Sequence, residues 1–119
     1  MPQRILVVDD EPEICDLLTI WLDDDPRCER VAQAHDLDAA VQLADREHPD
    51  VILLDFHVGL RTSVEALPAL RRSCPKARIL LHTSSPDEAL RAKVEGQGVD
   101  GIIEKATLSI PDVIEAALG

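Results

Sequence analysis

The chain has 119 residues, 45% of them hydrophobic, which suits one compact domain with a single core. Its formal net charge of −11 repels nucleic acid and anionic lipid, so neither is expected as a direct partner. No apolar stretch approaches the roughly 18 residues of a membrane span and no basic-plus-apolar leader is present, so a soluble cytoplasmic protein is expected. Cys15, Cys28 and Cys74 are odd in number and far apart, with no CxxC pair, which argues against zinc and fits a reducing compartment.

The first element is the apolar run Ile5–Val8, in "RILVVDDEPE" at residues 4 to 13. A continuous apolar run stopped by charges reads as a strand buried on both faces. Asp9 and Asp10 follow it directly. They either open the next helix, whose positive dipole end favours acids, or hold a metal or phosphate; this stretch alone does not choose. Ile14, Leu17, Leu18, Trp21 and Leu22 then follow a helical period, and Trp21 on that stripe is expected in the core. "RVAQA" at 30 to 34 mixes polar residues into an apolar run and reads as an edge strand. Leu37, Ala40, Val41 and Ala44 give a second, narrower helical stripe.

Val51–Leu54 is the next buried strand, ending in Asp55. In the segment 63 to 73, Pro68 removes a helix donor, so that helix should start late or kink. Ile79–Leu81 is a strand ending near Thr83. "SPDE" at 85 to 88 is a capping box with Pro86 at the first helical position. Gly98 and Gly101 bracket the start of the last strand, Ile102–Ile103, which runs into Lys105. Ile110, Val113, Ile114, Ala117 and Leu118 form a final helical stripe. The pattern is β-α repeated five times, without repeats or linkers. It predicts an α/β fold, a flavodoxin-like (βα)5 doubly wound parallel sheet with strand order 2-1-3-4-5, because no GxGxxG follows the first strand.

Ligands of such sheets bind at the carboxyl ends of the strands. There the order places Asp9 and Asp10 beside Asp55, on neighbouring strands roughly 5 Å apart. Lys105 stands two strands from Asp55, roughly 10 Å away, within reach of a long side chain. Three carboxylates repel one another unless a cation sits among them, and Mg²⁺ suits an all-oxygen set that also takes phosphate oxygens. Asp55 would be a nucleophile forming an aspartyl phosphate, with Mg²⁺, Lys105 and the Thr83 hydroxyl holding the phosphoryl oxygens. Each residue alone has a plainer reading: Asp55 a cap, Thr83 a turn former, Lys105 a solvated charge. Five of them at one sheet edge argue for a site.

With "ILVVDDEPE", "PDVILLD", "ILLHTSS" and "DGIIEK" in place, the whole chain resembles the receiver domains of bacterial two-component response regulators. The resemblance implies one receiver domain over residues 1–119, a signalling domain rather than an enzyme, that takes a phosphoryl group from a histidine kinase, a phosphotransfer protein or a small phosphodonor. It implies Asp55 as phosphoacceptor, Asp10 as a direct Mg²⁺ ligand, Asp9 as a water-mediated one, and the His57 backbone carbonyl as a further ligand. Thr83 would be the switch hydroxyl and Lys105 the phosphate-sensing cation. A downstream effector protein or domain, which could bind DNA, is the implied output, and a phosphorylation-dependent homodimer is compatible with it. The last helical stripe ends the chain, as in a single-domain regulator or one whose effector follows.

The sequence departs from the family's pattern at three places. "DFHVGLRTSVEAL" lacks the Pro that often follows the acceptor, and Ser63 stands where a Gly usually does, so an unusual path is expected after Asp55. Ala106 replaces a Pro after Lys105, resembling receivers attached to helix-turn-helix outputs. Ile102 replaces an aromatic residue three before Lys105 and predicts a smaller or differently placed switch. Two rivals remain: a receiver-like binding scaffold that works without phosphorylation, and an Asp-nucleophile phosphohydrolase. The second needs an acid two residues after the nucleophile, where His57 stands.

Overall fold

A computed structural model describes residues 2–83, 92, 94, 96–104, 115 and 118. In chain order they form β1 (Gln3–Val8), α1 (Pro12–Asp23), β2 (Cys28–Ala34), α2 (Leu37–Glu47), β3 (Val51–Asp55), β4 (His57–Val58), β5 (Arg61–Thr62), a 3-10 turn (Ser63–Ala66), α3 (Leu67–Ser73), β6 (Arg78–Thr83) and β7 (Gly101–Glu104). Five strands make one parallel sheet in the order β2-β1-β3-β6-β7. This is the flavodoxin-like order expected from the sequence, with β6 and β7 as its fourth and fifth strands. "SPDE" at 85 to 88, Lys105, Ala106 and most of the last helical stripe lie outside the described residues.

The continuous apolarity of β1, β3 and β6 has a direct cause. Neighbouring residues on a strand point to opposite faces, and here both faces are covered. Leu6, Val8, Ile52, Leu54, Ile79 and Leu81 join Leu37, Ala40 and Ala44 of α2 and Leu67 and Leu70 of α3 in one buried cluster. Ile5, Val7, Val51, Leu53, Leu80 and Ile103 join Cys15, Leu18 and Leu22 of α1 in the other. β2 pairs only with β1 and is the polar-mixed edge, as its composition predicts. Pro68 delays α3: the chain turns through Ser63–Ala66 first, then takes Pro68 into the first turn of the helix, where its missing N–H is harmless.

One expectation fails. Trp21 is 45% exposed and Leu17 46%, so neither is core. The buried line of α1 runs through Cys15, Leu18 and Leu22, rotated from the predicted stripe toward Cys15. That thiol is fully buried and donates to the Asp9 carbonyl at 3.4 Å. A helix lying on a sheet buries one line of residues, and here contact with β1 and β3 chooses it.

The start of β7 is positioned by Arg71 of α3. Its guanidinium donates to the carbonyls of Ala77 (2.6 Å) and Gly98, and to the Asp100 carboxylate at 3.1 Å. Asp100 in turn accepts the Ile79 N–H at 2.8 Å. Gly98 sits at φ +91°, and an added Cβ would lie 3.1 Å from the Arg71 Nε, so the turn requires glycine twice over.

Candidate functional site

β1 and β3 are adjacent, and both end at the same edge of the sheet. That edge collects Asp9 and Asp10 from the end of β1 and Asp55 from the end of β3. Ligand oxygens of the three lie within 4.8 Å of one another. Asp9 and Asp55 are buried, at 1% and 8% exposure, and Asp10 is open to solvent. Asp9 Oδ1 accepts the Glu11 N–H at 2.9 Å, tying it to the start of α1, while Glu11 at the cap makes no side-chain cap bond of its own. Thr83, also buried, ends β6 one strand further along. Lys105 lies outside the described residues.

Phe56 is followed by a two-stranded antiparallel hairpin, β4 and β5, in which His57 pairs with Thr62 and Val58 with Arg61. The two-residue turn Gly59–Leu60 has positive φ only at Gly59 (+66°), the requirement of a type II′ turn. The Ser63 N–H donates to the Phe56 carbonyl at 2.8 Å and closes the base. The hairpin leans back over the acids, and the Gly59 N–H donates to Asp10 Oδ2 at 2.9 Å. Gly59 is therefore a site residue that reading the sequence missed. The signal was a Gly at the first of two positions between "HV" and "RT", which fits a hairpin turn. The His57 side chain is exposed and meets the Phe56 ring edge-on at 4.7 Å.

The donor set is three carboxylates, all oxygen, which fits a hard divalent cation such as Mg²⁺. The cysteines offer no alternative: Cys15, Cys28 and Cys74 are buried, and burial pushes the Cys28 and Cys74 thiols up, keeping them protonated. Among the described residues, no helix is long and apolar enough to cross a membrane.

An open parallel sheet with three carboxylates where its central strands end defines a doubly wound α/β protein. The response regulator receiver domain family matches residues 5–117, and the chain belongs to that family. It is thus a receiver domain of the two-component signalling class. It is 34% identical over 117 residues to the nitrate/nitrite response regulator NarP of Escherichia coli, across 98% of this chain and 54% of NarP. It is 39% identical over 99 residues to a protein-glutamate methylesterase/protein-glutamine glutaminase of Myxococcus xanthus, across 83% of this chain and 25% of that protein. The chain thus spans about half the length of the first relative and a quarter of the second. A response regulator from Burkholderia pseudomallei superposes with TM-score 0.85 at 28% identity, over 98% of this chain and 66% of that one. That crystal structure holds a phosphorylated aspartic acid, a calcium ion and citrate.

Proposed function

We propose that this receiver accepts a phosphoryl group on Asp55 in a Mg²⁺-dependent reaction and passes the change to an output partner or attached effector. The observation that carries this is the meeting of three carboxylates from two strands within 4.8 Å. Asp9, Asp10, Asp55 and the His57 carbonyl would hold the cation, which supplies neutralisation of charge on the transferring phosphoryl oxygens. Asp55 supplies the attacking oxygen. Its position at the end of a fully buried strand fixes it, and its 8% exposure leaves an approach for the donor. Thr83 and Lys105 complete the reading as switch hydroxyl and phosphate-binding cation. The phosphorylated aspartate and calcium ion of the Burkholderia relative support both assignments. Incubation with acetyl phosphate and Mg²⁺, followed by intact mass, tests it: one phosphoryl group per chain supports the reading and none overturns it.

The donor in the cell is proposed to be a histidine kinase or phosphotransfer protein, in the cytoplasm, and the chain itself turns over no external substrate. Leu17, Ile20 and Trp21, exposed on the helix that starts at the pocket, give a protein donor an apolar surface to cover.

Metal binding should be visible without any phosphoryl donor. Mg²⁺ at about 10 to 100 times its dissociation constant is expected to add about 1.4–2.7 kcal/mol and raise the melting temperature accordingly. Asp10→Ala should largely remove that rise in a thermal scan; an unchanged melting temperature in the wild type counts against a metal site. His57 stands at the rim of the pocket, two residues beyond the acceptor. His57→Ala should change the rate of phosphoryl loss severalfold while leaving phosphorylation intact, followed by mass after donor removal. An unchanged rate would show that the imidazole plays no part in phosphoryl loss.

A further inference from the structure

We propose that the Gly59 backbone N–H is a positioning group for Asp10 as a metal ligand, which rests on the reading of Asp9, Asp10 and Asp55 as a Mg²⁺ site. Asp10 is the exposed member of the three, and the other two are buried. A solvated carboxylate turns easily, because the torsion that orients it is broad and twofold. Beside two further acids, like charge favours turning away from them. One contact opposes this. From the tip of the β4–β5 hairpin, the Gly59 N–H donates to Asp10 Oδ2 at 2.9 Å. That bond takes one oxygen of Asp10 and leaves the other to a cation. A ligating carboxylate held by an outer hydrogen bond keeps the orientation in which it binds.

The hairpin is shaped to present that N–H. Gly59 lies between the paired residues Val58 and Arg61, so its N–H takes no part in the strand ladder and is available to Asp10. Its φ of +66° requires glycine by conformation and not by space, since an added Cβ would meet nothing within 4 Å. The side-chain tethers of the hairpin are weaker. Arg61 pairs with Asp38 of α2 at 3.3 Å and with Glu65 at 3.6 Å, all in solvent, where such pairs contribute little. The His57 carbonyl, a further ligand in the same reading, belongs to β4. One short element thus bears on the site twice, through a carbonyl and through an outer N–H. A cation held there and closure of the hairpin therefore favour each other, and the coupling is reciprocal.

The test removes that one N–H. The full chain can be assembled by ligation at Cys28 and Cys74 with an ester in place of the Gly59 amide, which keeps every side chain. In a Mg²⁺ series read by melting temperature, the ester chain should bind about tenfold more weakly than a wild-type chain made the same way, the scale on which an outer partner of a ligand acts. Arg61→Ala cuts the solvent-exposed ion pairs but keeps the N–H, and should bind Mg²⁺ as the wild type does. Amide hydrogen exchange gives a readout without phosphoryl transfer. The Gly59 amide should exchange faster in metal-free Asp10→Ala than in the metal-free wild type, and slower in the wild type once Mg²⁺ is added. Faster Gly59 exchange on adding Mg²⁺ would show the cation pulling Asp10 off the hairpin and would overturn the proposal. So would an equal loss of affinity in Arg61→Ala. If the wild type binds no Mg²⁺, the metal reading fails and this inference with it; a wild type that binds and an ester chain that binds equally well overturn this inference alone.

Discussion

Asp55→Asn is expected to take no phosphoryl group from acetyl phosphate under conditions that label the wild type fully. The amide keeps the size and shape of the carboxylate, so strand β3 and its cover are undisturbed. It lacks the anionic oxygen that attacks phosphorus, and no neighbour stands in the same place. Asp9 is 1% exposed with one oxygen tied to the Glu11 N–H, and Asp10 accepts from the Gly59 N–H, so neither replaces it. Omitting Mg²⁺ from the wild type should depress labelling comparably, because three carboxylates without a cation repel the incoming phosphate. Intact mass decides both points, and equal labelling of the Asn variant sinks the assignment. The same substitution should raise stability in the absence of metal, since it removes one charge from the repelling trio.

Leu18→Ala is expected to cost about 2–5 kcal/mol in urea unfolding, and Trp21→Ala less than about 1 kcal/mol, although tryptophan is much the larger side chain. Leu18 is 1% exposed and packs against β1 and β3, so truncation opens a cavity that a rigid sheet cannot close. Trp21 is half in water already, and its removal leaves no void. A larger loss from Trp21→Ala than from Leu18→Ala would place the buried line of α1 where sequence periodicity alone puts it. Trp21 fluorescence should also read as solvent-exposed in the folded protein and blue-shift when a partner covers α1.

The sheet was legible in the sequence because burial on both faces leaves a mark that does not depend on context: unbroken apolar runs at Ile5–Val8, Val51–Leu54 and Ile79–Leu81, each observed as part of a strand. The same holds for the acids. Charges ending apolar runs on adjacent strands must meet at one edge, and Asp9, Asp10 and Asp55 do. Pro68 likewise announced a delayed α3, since a missing N–H acts locally.

What only the tertiary structure decided are relations between segments. The apolar arc of α1 is wider than the line a sheet can cover, so periodicity could not choose between Cys15 and Trp21; contact with β1 and β3 chose. The absent Pro and Gly after Asp55 gave an expectation of an unusual path but no form for it. A hairpin is set by pairing between His57 and Thr62, and the bond from Gly59 to Asp10 spans 49 residues that no local pattern links. Composition and spacing determine which residues are buried and which strands end in charge. Register and packing determine which of those residues touch, because contact depends on distances across the chain that a linear sequence does not carry.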